Sequence, residues 1–335
     1  MNVSNLYDFS NKSLICYNTL IHITEYAFWI SILSISGDDH KYNYYSDEWI
    51  YLINFYYPGN PYYNYFANNY NNIVNQLNAD DVICYNNNVI SLFTTFSKGS
   101  VHGFSGFWYT LITFVNNIDS YDNLDIIMYK ECEKGMLSIF NHLCNIGVIK
   151  NKVIFLEKNV KYRFASVTYI ENEYHVFNGK LENMVTDFIK KYNFINKELY
   201  DKTNETCCIL KSDKTEKIIT YDGVFNNDIV DNFCNKYNIT RIFPSNEIEL
   251  INSIYNCKIL ILNYGSTFFK NYVYISELCE KIIVIVNGDV YTNDYKHLSS
   301  ITPNKYQGII YKKYKNAEIH YIVVNNNLNF DPYRL

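Results

Sequence analysis

No extended block of lysine and arginine interleaved with aromatic residues stands out in this chain, and its formal net charge is −5. A nucleic-acid footprint needs such a basic stripe, so that class of partner is set aside. Two glycine signatures are missing as well. No G-x-G-x-x-G follows a strand pattern, and there is no G-x-x-x-x-G-K-[ST]. Nicotinamide enzymes of the usual kind and P-loop nucleotidases lose ground accordingly. Nine cysteines are present, but none forms a C-x-x-C pair and no histidine spacing completes a zinc site. The beginning of the sequence, Met1 to Asn11, is polar and has no basic segment leading into an apolar one, unlike a secretory leader.

Long uncharged apolar runs are also scarce. The most apolar early stretch, Ser13 to Ser36, carries Asn18, His22 and Glu25. Those residues argue against a membrane span. The expectation is a core strand and a helix there. Cysteines such as Cys257 and Cys279 sit inside apolar runs, where a free thiol acts as a small hydrophobe. Adjacent Cys207 and Cys208 read as strand residues. A reducing compartment follows: the cytoplasm, or a host cytoplasm or virion if the gene is viral.

Hydrophobic residues make up 48% of the 335 and charged ones 19%, enough for a large core and for two domains. The 35 tyrosines and 21 phenylalanines, with abundant asparagine, have the composition of an AT-rich gene such as those of giant viruses. Tyrosine clusters therefore carry little weight. The stretch from Asn54 to Phe66 reads either as a sugar-stacking loop or as a product of that base composition.

From Asn88 onward, strand and helix patterns alternate. Strands are expected at 88–96, 124–130, 152–157 and 162–170, and helices at 106–118 and 134–147, with Gly147 as a C-cap. An amphipathic helix at 180–193 is followed by a polar linker. A second series then begins. Its strands are 206–211, 217–222, 240–245, 258–263, 281–288 and 317–324, and its helices 226–238 and 246–257, with a helix or turn at 271–280. Alternation of this kind predicts an α/β fold with parallel strands. Two Rossmann-like domains are expected, 1–200 and 201–335.

In such sheets a ligand sits beyond the carboxyl ends of the strands. There the run Ile259 to Leu262 gives way to Asn263, Tyr264, Gly265, Ser266 and Thr267. Glycine permits close backbone approach, and hydroxyls with helix N–H groups suit phosphate oxygens. The same string also ends many non-catalytic strands.

Two regions together carry a resemblance. "SVHGFSGFWYTLITF", "DIIMYK" and "MLSIFNHLCNIGVIKNKVIFLEKNVKYRFASVTYI" form the first. "NEIELINSIYNCKILILNYGSTFFKN" is the second. In order and spacing, from about Phe93 to Gly288, they resemble the family 61 glycosyltransferases. His102 falls on that family's histidine, and Gly265, Ser266 and Thr267 on its Gly-Ser-Ala stretch. The chain departs from the pattern where Lys211 and Lys214 stand in for arginines, where Lys270 replaces an asparagine, and at Val286-Asn287.

The resemblance implies a GT-B fold, two Rossmann-like domains facing a central cleft. It also implies inverting, metal-independent transfer from a nucleotide sugar, usually a UDP-sugar, to a hydroxyl of a glycan or protein. No cofactor beyond that donor is implied. No Asp-x-Asp sequence is present, and Asp38-Asp39-His40 is the nearest carboxylate cluster. His102 is the expected base, and Lys98 the expected contact to the acceptor. Lys211, Ser212 and Lys214 are expected at the diphosphate, with Asn263, Gly265, Ser266 and Thr267 opposite. Glu247 begins a helix, where it complements the dipole or reaches a ribose. A catalytically inactive relative that binds glycan or nucleotide is the alternative. The sugar, acceptor and oligomeric state are not encoded in any motif.

Overall fold

Two sheets organise the chain. The computed structural model describes residues 7–8, 13–26, 29–35, 42–45, 81–92, 101–132, 134–170, 179–196, 205–210, 225–287, 313–324 and 327–335. The expected strand at 217–222, the aromatic stretch 54–66, the Asp38-Asp39-His40 cluster and most of the expected linker lie outside these residues. Contacts divide the chain into two units. One is Met1–Leu137 with Leu143–His175, the other Ser138–His142 with Val176–Leu335. The helix Gly179–Lys191 thus groups with the second unit.

The first unit is built on strands β1 (Tyr7–Asp8), β2 (Ser13–Tyr26), β3 (Trp29–Ile35), β4 (Tyr42–Tyr45), β5 (Val82–Ser91), β6 (Asp125–Tyr129), β7 (Val153–Leu156) and β8 (Lys161–Ile170). Their order is β4-β3-β2-β8-β5-β6-β7, with β1 beside β2. Strands β8, β5, β6 and β7 run parallel, and β2, β3 and β4 add an antiparallel meander. Helix α1 (Val101–Asn116) joins β5 to β6, and α2 (Lys134–Asn145) joins β6 to β7. Every residue of α1 from Phe104 to Ile112 is buried. Its pattern is apolar all round, as a helix enclosed by its own domain requires. Helix α2 ends as the sequence predicts. Gly147 adopts φ 73°, and the N–H of Val148 reaches back to the carbonyl of Leu143 at 2.9 Å.

Two expectations change here. The stretch Ser13 to Ser36 holds no helix among its described residues. It forms β2 and β3, paired from Leu20↔Ile35 to Tyr26↔Trp29. A continuous apolar run has no period that separates strand from helix, and pairing to β8 on the other side decides for strand. Strand β5 begins at Val82, six residues before the expected start at Asn88. Asn86, Asn87 and Asn88 hide it, because the ladder to β8 shifts register between Tyr85 and Asn88.

The second unit opens with α3 (Gly179–Lys191) and carries β9 (Thr206–Ile209), α4 (Asn227–Tyr237), β10 (Thr240–Arg241), α5 (Glu247–Ile254), β11 (Ile259–Asn263), α6 (Ser266–Asn271), β12 (Lys281–Asn287), β13 (Lys313–Tyr314) and β14 (Ala317–Val324). The sheet order is β10-β9-β11-β12-β14-β13. All pairs are parallel except β13 with β14. Taking the parallel strands in chain order, this is the 2-1-3-4-5 arrangement of doubly wound sheets. The α/β expectation holds. Helices cover both faces. Val230 and Phe233 of α4, with Leu328, pack on Cys208, Ile261, Ile283 and Ile285. On the other face the thiol of Cys207 donates to the Ser253 carbonyl of α5 at 3.4 Å.

Asparagine side chains start these helices. Asn226 Oδ1 accepts from the Asp228 N–H at 2.9 Å, and Asn238 at φ 53° closes α4. Asn246 Oδ1 accepts from the Glu249 N–H at 2.9 Å, while Glu249 reaches back to the Ser245 N–H at 2.8 Å. This reciprocal pair is a capping box shifted by one residue. The segment expected as helix or turn at 271–280 is the end of α6, a single 3₁₀ turn over Tyr272–Tyr274, and a turn leading into β12.

Candidate functional site

In a 2-1-3-4-5 sheet the connections leaving the first and third strands diverge, and the gap opens at their carboxyl ends. Here those strands are β9 and β11. Leu262 of β11 pairs with Ile209 of β9, so Asn263 stands beside Leu210. The chain leaves β9 at that level toward Lys211, Ser212 and Lys214, which lie outside the described residues.

Asn263 is fully buried at the end of β11. The next N–H, of Tyr264, donates to Ile285 of β12 at 2.8 Å, which holds the strand end against its neighbour. Gly265 then adopts φ 95° and ψ −144°. A side chain at this position meets its own backbone, so only glycine occupies it without strain. From there the chain turns into α6, whose Phe269 N–H bonds the Gly265 carbonyl at 3.0 Å. Ser266 and Thr267 open that helix, and Thr267 is buried. The expected group Asn263, Gly265, Ser266 and Thr267 is therefore one strand–turn–helix corner at the carboxyl edge of the sheet.

Glu247 has a different setting. It is the first residue of α5, and its side chain keeps only 4% of its exposure. Its Oε2 lies 3.2 Å from Nζ of Lys270, one turn into α6 from Ser266. Two charges are thus taken out of water together, which an apolar pair of similar volume would do at lower cost. The pair ties the start of α5 to the helix that follows the Gly265 turn. The sequence resemblance marked Lys270 only as a departure, and its pairing across two helices had no local signal.

No protein-family model matches the chain, and no curated protein matches it.

A further pair at this edge went unremarked in the sequence. Arg241 ends β10, with its side chain 7% exposed. One guanidinium nitrogen donates to Asp231 and, at 2.8 Å, to Asn227 Oδ1, both on α4. The guanidinium carbon stands 4.5 Å from the ring centroid of Phe243. Alternation along an extended chain puts residues two apart on one side, so this contact was legible in "TRIFPS" as spacing.

In the first unit, His102 is the second residue of α1, directly after the connection from β5. Lys98 falls within that connection and lies outside the described residues. Among the described residues no helix is long and apolar enough to cross a membrane.

Proposed function

We propose that this chain is an inverting, metal-independent glycosyltransferase of GT-B type, similar to family 61. It moves a sugar from a nucleotide-sugar donor, a UDP-sugar, to a hydroxyl of a glycan or protein acceptor. One observation carries the reading. A glycine-only turn, Gly265 at φ 95° and ψ −144°, ends the third strand of a 2-1-3-4-5 sheet, beside the point where such sheets take their ligands.

In this reading the leaving diphosphate lies along Gly265, Ser266 and Thr267. Main-chain N–H groups and hydroxyls there stabilise the charge that develops as the glycosidic bond breaks. Lys211, Ser212 and Lys214 follow β9, the neighbouring strand; in this reading the two lysines supply cations to the diphosphate and Ser212 a hydroxyl. Lysine serves there as a point charge, without the bidentate fork of arginine. Asn263, buried at the strand end, fixes the turn. Lys98 meets the acceptor, and His102 takes the proton from its hydroxyl as that oxygen attacks the sugar. Glu247, paired with Lys270, acts on the donor site by holding α5 and α6 together.

A second reading is a glycan- or nucleotide-binding protein without turnover. The departures from the family 61 pattern favour it: Lys211 and Lys214 stand where the resemblance expects arginines, and Lys270 where it expects an asparagine.

The test is incubation of the protein with UDP-sugars in the presence of EDTA, with release of UDP measured. An enzyme releases UDP slowly without acceptor, and His102→Ala reduces that rate on the order of a hundredfold. A protein that binds UDP but releases none from any sugar donor is the binding protein instead.

A further inference from the structure

Phe243 is the most exposed large hydrophobic residue among the described residues, at 53%. Isolated exposed apolar side chains are ordinary on protein surfaces. This one differs in what stands behind it. Its ring rests on the guanidinium of Arg241, and that group is buried and tied to Asp231 and Asn227 of α4. A cation against an aromatic face fixes the ring in place. The result is a flat apolar surface, braced from one side and open to solvent over much of the rest. Held rigid in this way, the ring loses little entropy when a planar group covers it.

Its position completes the argument. Arg241 pairs with Cys208, and Cys208 with Ile261. Two residues farther on, Phe243 comes level with Asn263, two strands away across β9. Two strand spacings are about 10 Å. That matches the reach of a nucleoside diphosphate from its base to its outer phosphate. Phe243 is also the second residue of the loop from β10 into α5, at the same carboxyl edge as the Gly265 turn.

We propose that Phe243, backed by Arg241, is the platform on which the base of the donor nucleotide stacks. The assignment rests on the reading of the Gly265 edge as a diphosphate site and adds its second half. Stacking of this kind tolerates any base, because every base has a π face. The platform therefore contributes affinity for nucleotides, and selection of uracil falls to other groups.

Calorimetric titration of UDP and of pyrophosphate into wild type, Phe243→Leu and Phe243→Trp tests the assignment. Because Phe243 is exposed, the fold tolerates both variants, and their melting temperatures without ligand check this. Phe243→Leu is expected to weaken UDP about tenfold, the scale of one lost stacking contact. Phe243→Trp keeps UDP affinity, and pyrophosphate binds all three proteins alike. UDP affinity in Phe243→Leu within about twofold of wild type overturns the platform and leaves the diphosphate reading standing. An equal loss for pyrophosphate also overturns it, since the change would then act on the phosphate end. Wild type that binds neither ligand removes both readings together.

Discussion

Lys270 Nζ and Glu247 Oε2 lie 3.2 Å apart, joining the first residue of α5 to α6. Glu247 is almost wholly buried, and Lys270 keeps 22% of its side-chain exposure. Changing one partner leaves a charge in a poorly solvated place, and changing both to apolar residues does not. Lys270→Met is expected to lower the unfolding free energy by about 2 kcal/mol, less than a fully buried break costs because the lysine is partly solvated. Glu247→Leu combined with Lys270→Met recovers most of that loss. A double-mutant cycle in urea measures the coupling, and additive losses would show that the two charges do not interact.

Lys315 gives the second unit a pH dependence. It sits at φ 51° in the turn between β13 and β14 and donates to the Ile275 carbonyl. Burial pulls its amine down to about 8; Lys190 acts in the same direction, and Glu277 and Glu182 oppose it. Between about pH 8 and the ordinary lysine value, the unfolded chain holds a proton that the folded chain has released. Stability gained from this group therefore rises with pH across that window and is absent below it. Lys315→Asn, neutral and at ease at positive φ, removes the effect. The difference in unfolding free energy between wild type and variant is expected to change by on the order of 2 kcal/mol from pH 7.5 to 10, after allowance for solvent screening. A constant difference across that range would show that Lys315 does not titrate differently in the two states.

The thiols make a separate prediction. Cys84 is a free, exposed thiol, while Cys207, Cys208, Cys257 and Cys279 are free and buried. The Cys208 thiol is pushed well up by its hydrogen bond with Cys234 and by burial, and that of Cys257 by hydrogen bonds with Cys207 and Cys279 and by burial. A thiol covered by the core is out of a reagent's reach. Under native conditions at pH 7.5 an aromatic disulfide reagent is expected to modify Cys84 quickly and these four only on unfolding. Mass mapping of the labelled peptides checks the order, and early labelling of Cys207 or Cys257 would show that the α5 face of the sheet opens.

Much of the second unit was legible because its strands are short apolar runs closed by turn residues. The runs before Asn263 and Asn287 are examples, and they coincide with β11 and β12. The Gly265 corner was legible for the same reason, since glycine after a buried strand marks a backbone need. The meander β2–β3 was not. Its sequence is a nearly continuous apolar run without a period of two, so only its long-range pairing with β8 and between its own strands defines it. Asn86 to Asn88 masked the start of β5 because a bulge carries polar residues that a regular strand would not. Arg241 and Phe243 were passed over although their spacing was visible. What gives them meaning is the anchoring of the guanidinium by α4, a contact that no spacing in "TRIFPS" announces.

The measurement closest to the central claim is the melting temperature of wild type and Gly265→Ala with and without UDP, in EDTA. Without ligand, Gly265→Ala is expected to cost about 2 kcal/mol, the strain of a side chain at φ 95°. UDP is expected to raise the melting temperature of wild type and to leave that of Gly265→Ala unchanged, because the added methyl group closes the approach to the turn. An equal rise in both proteins, or none in wild type with any nucleotide, would contradict a diphosphate site at the end of β11.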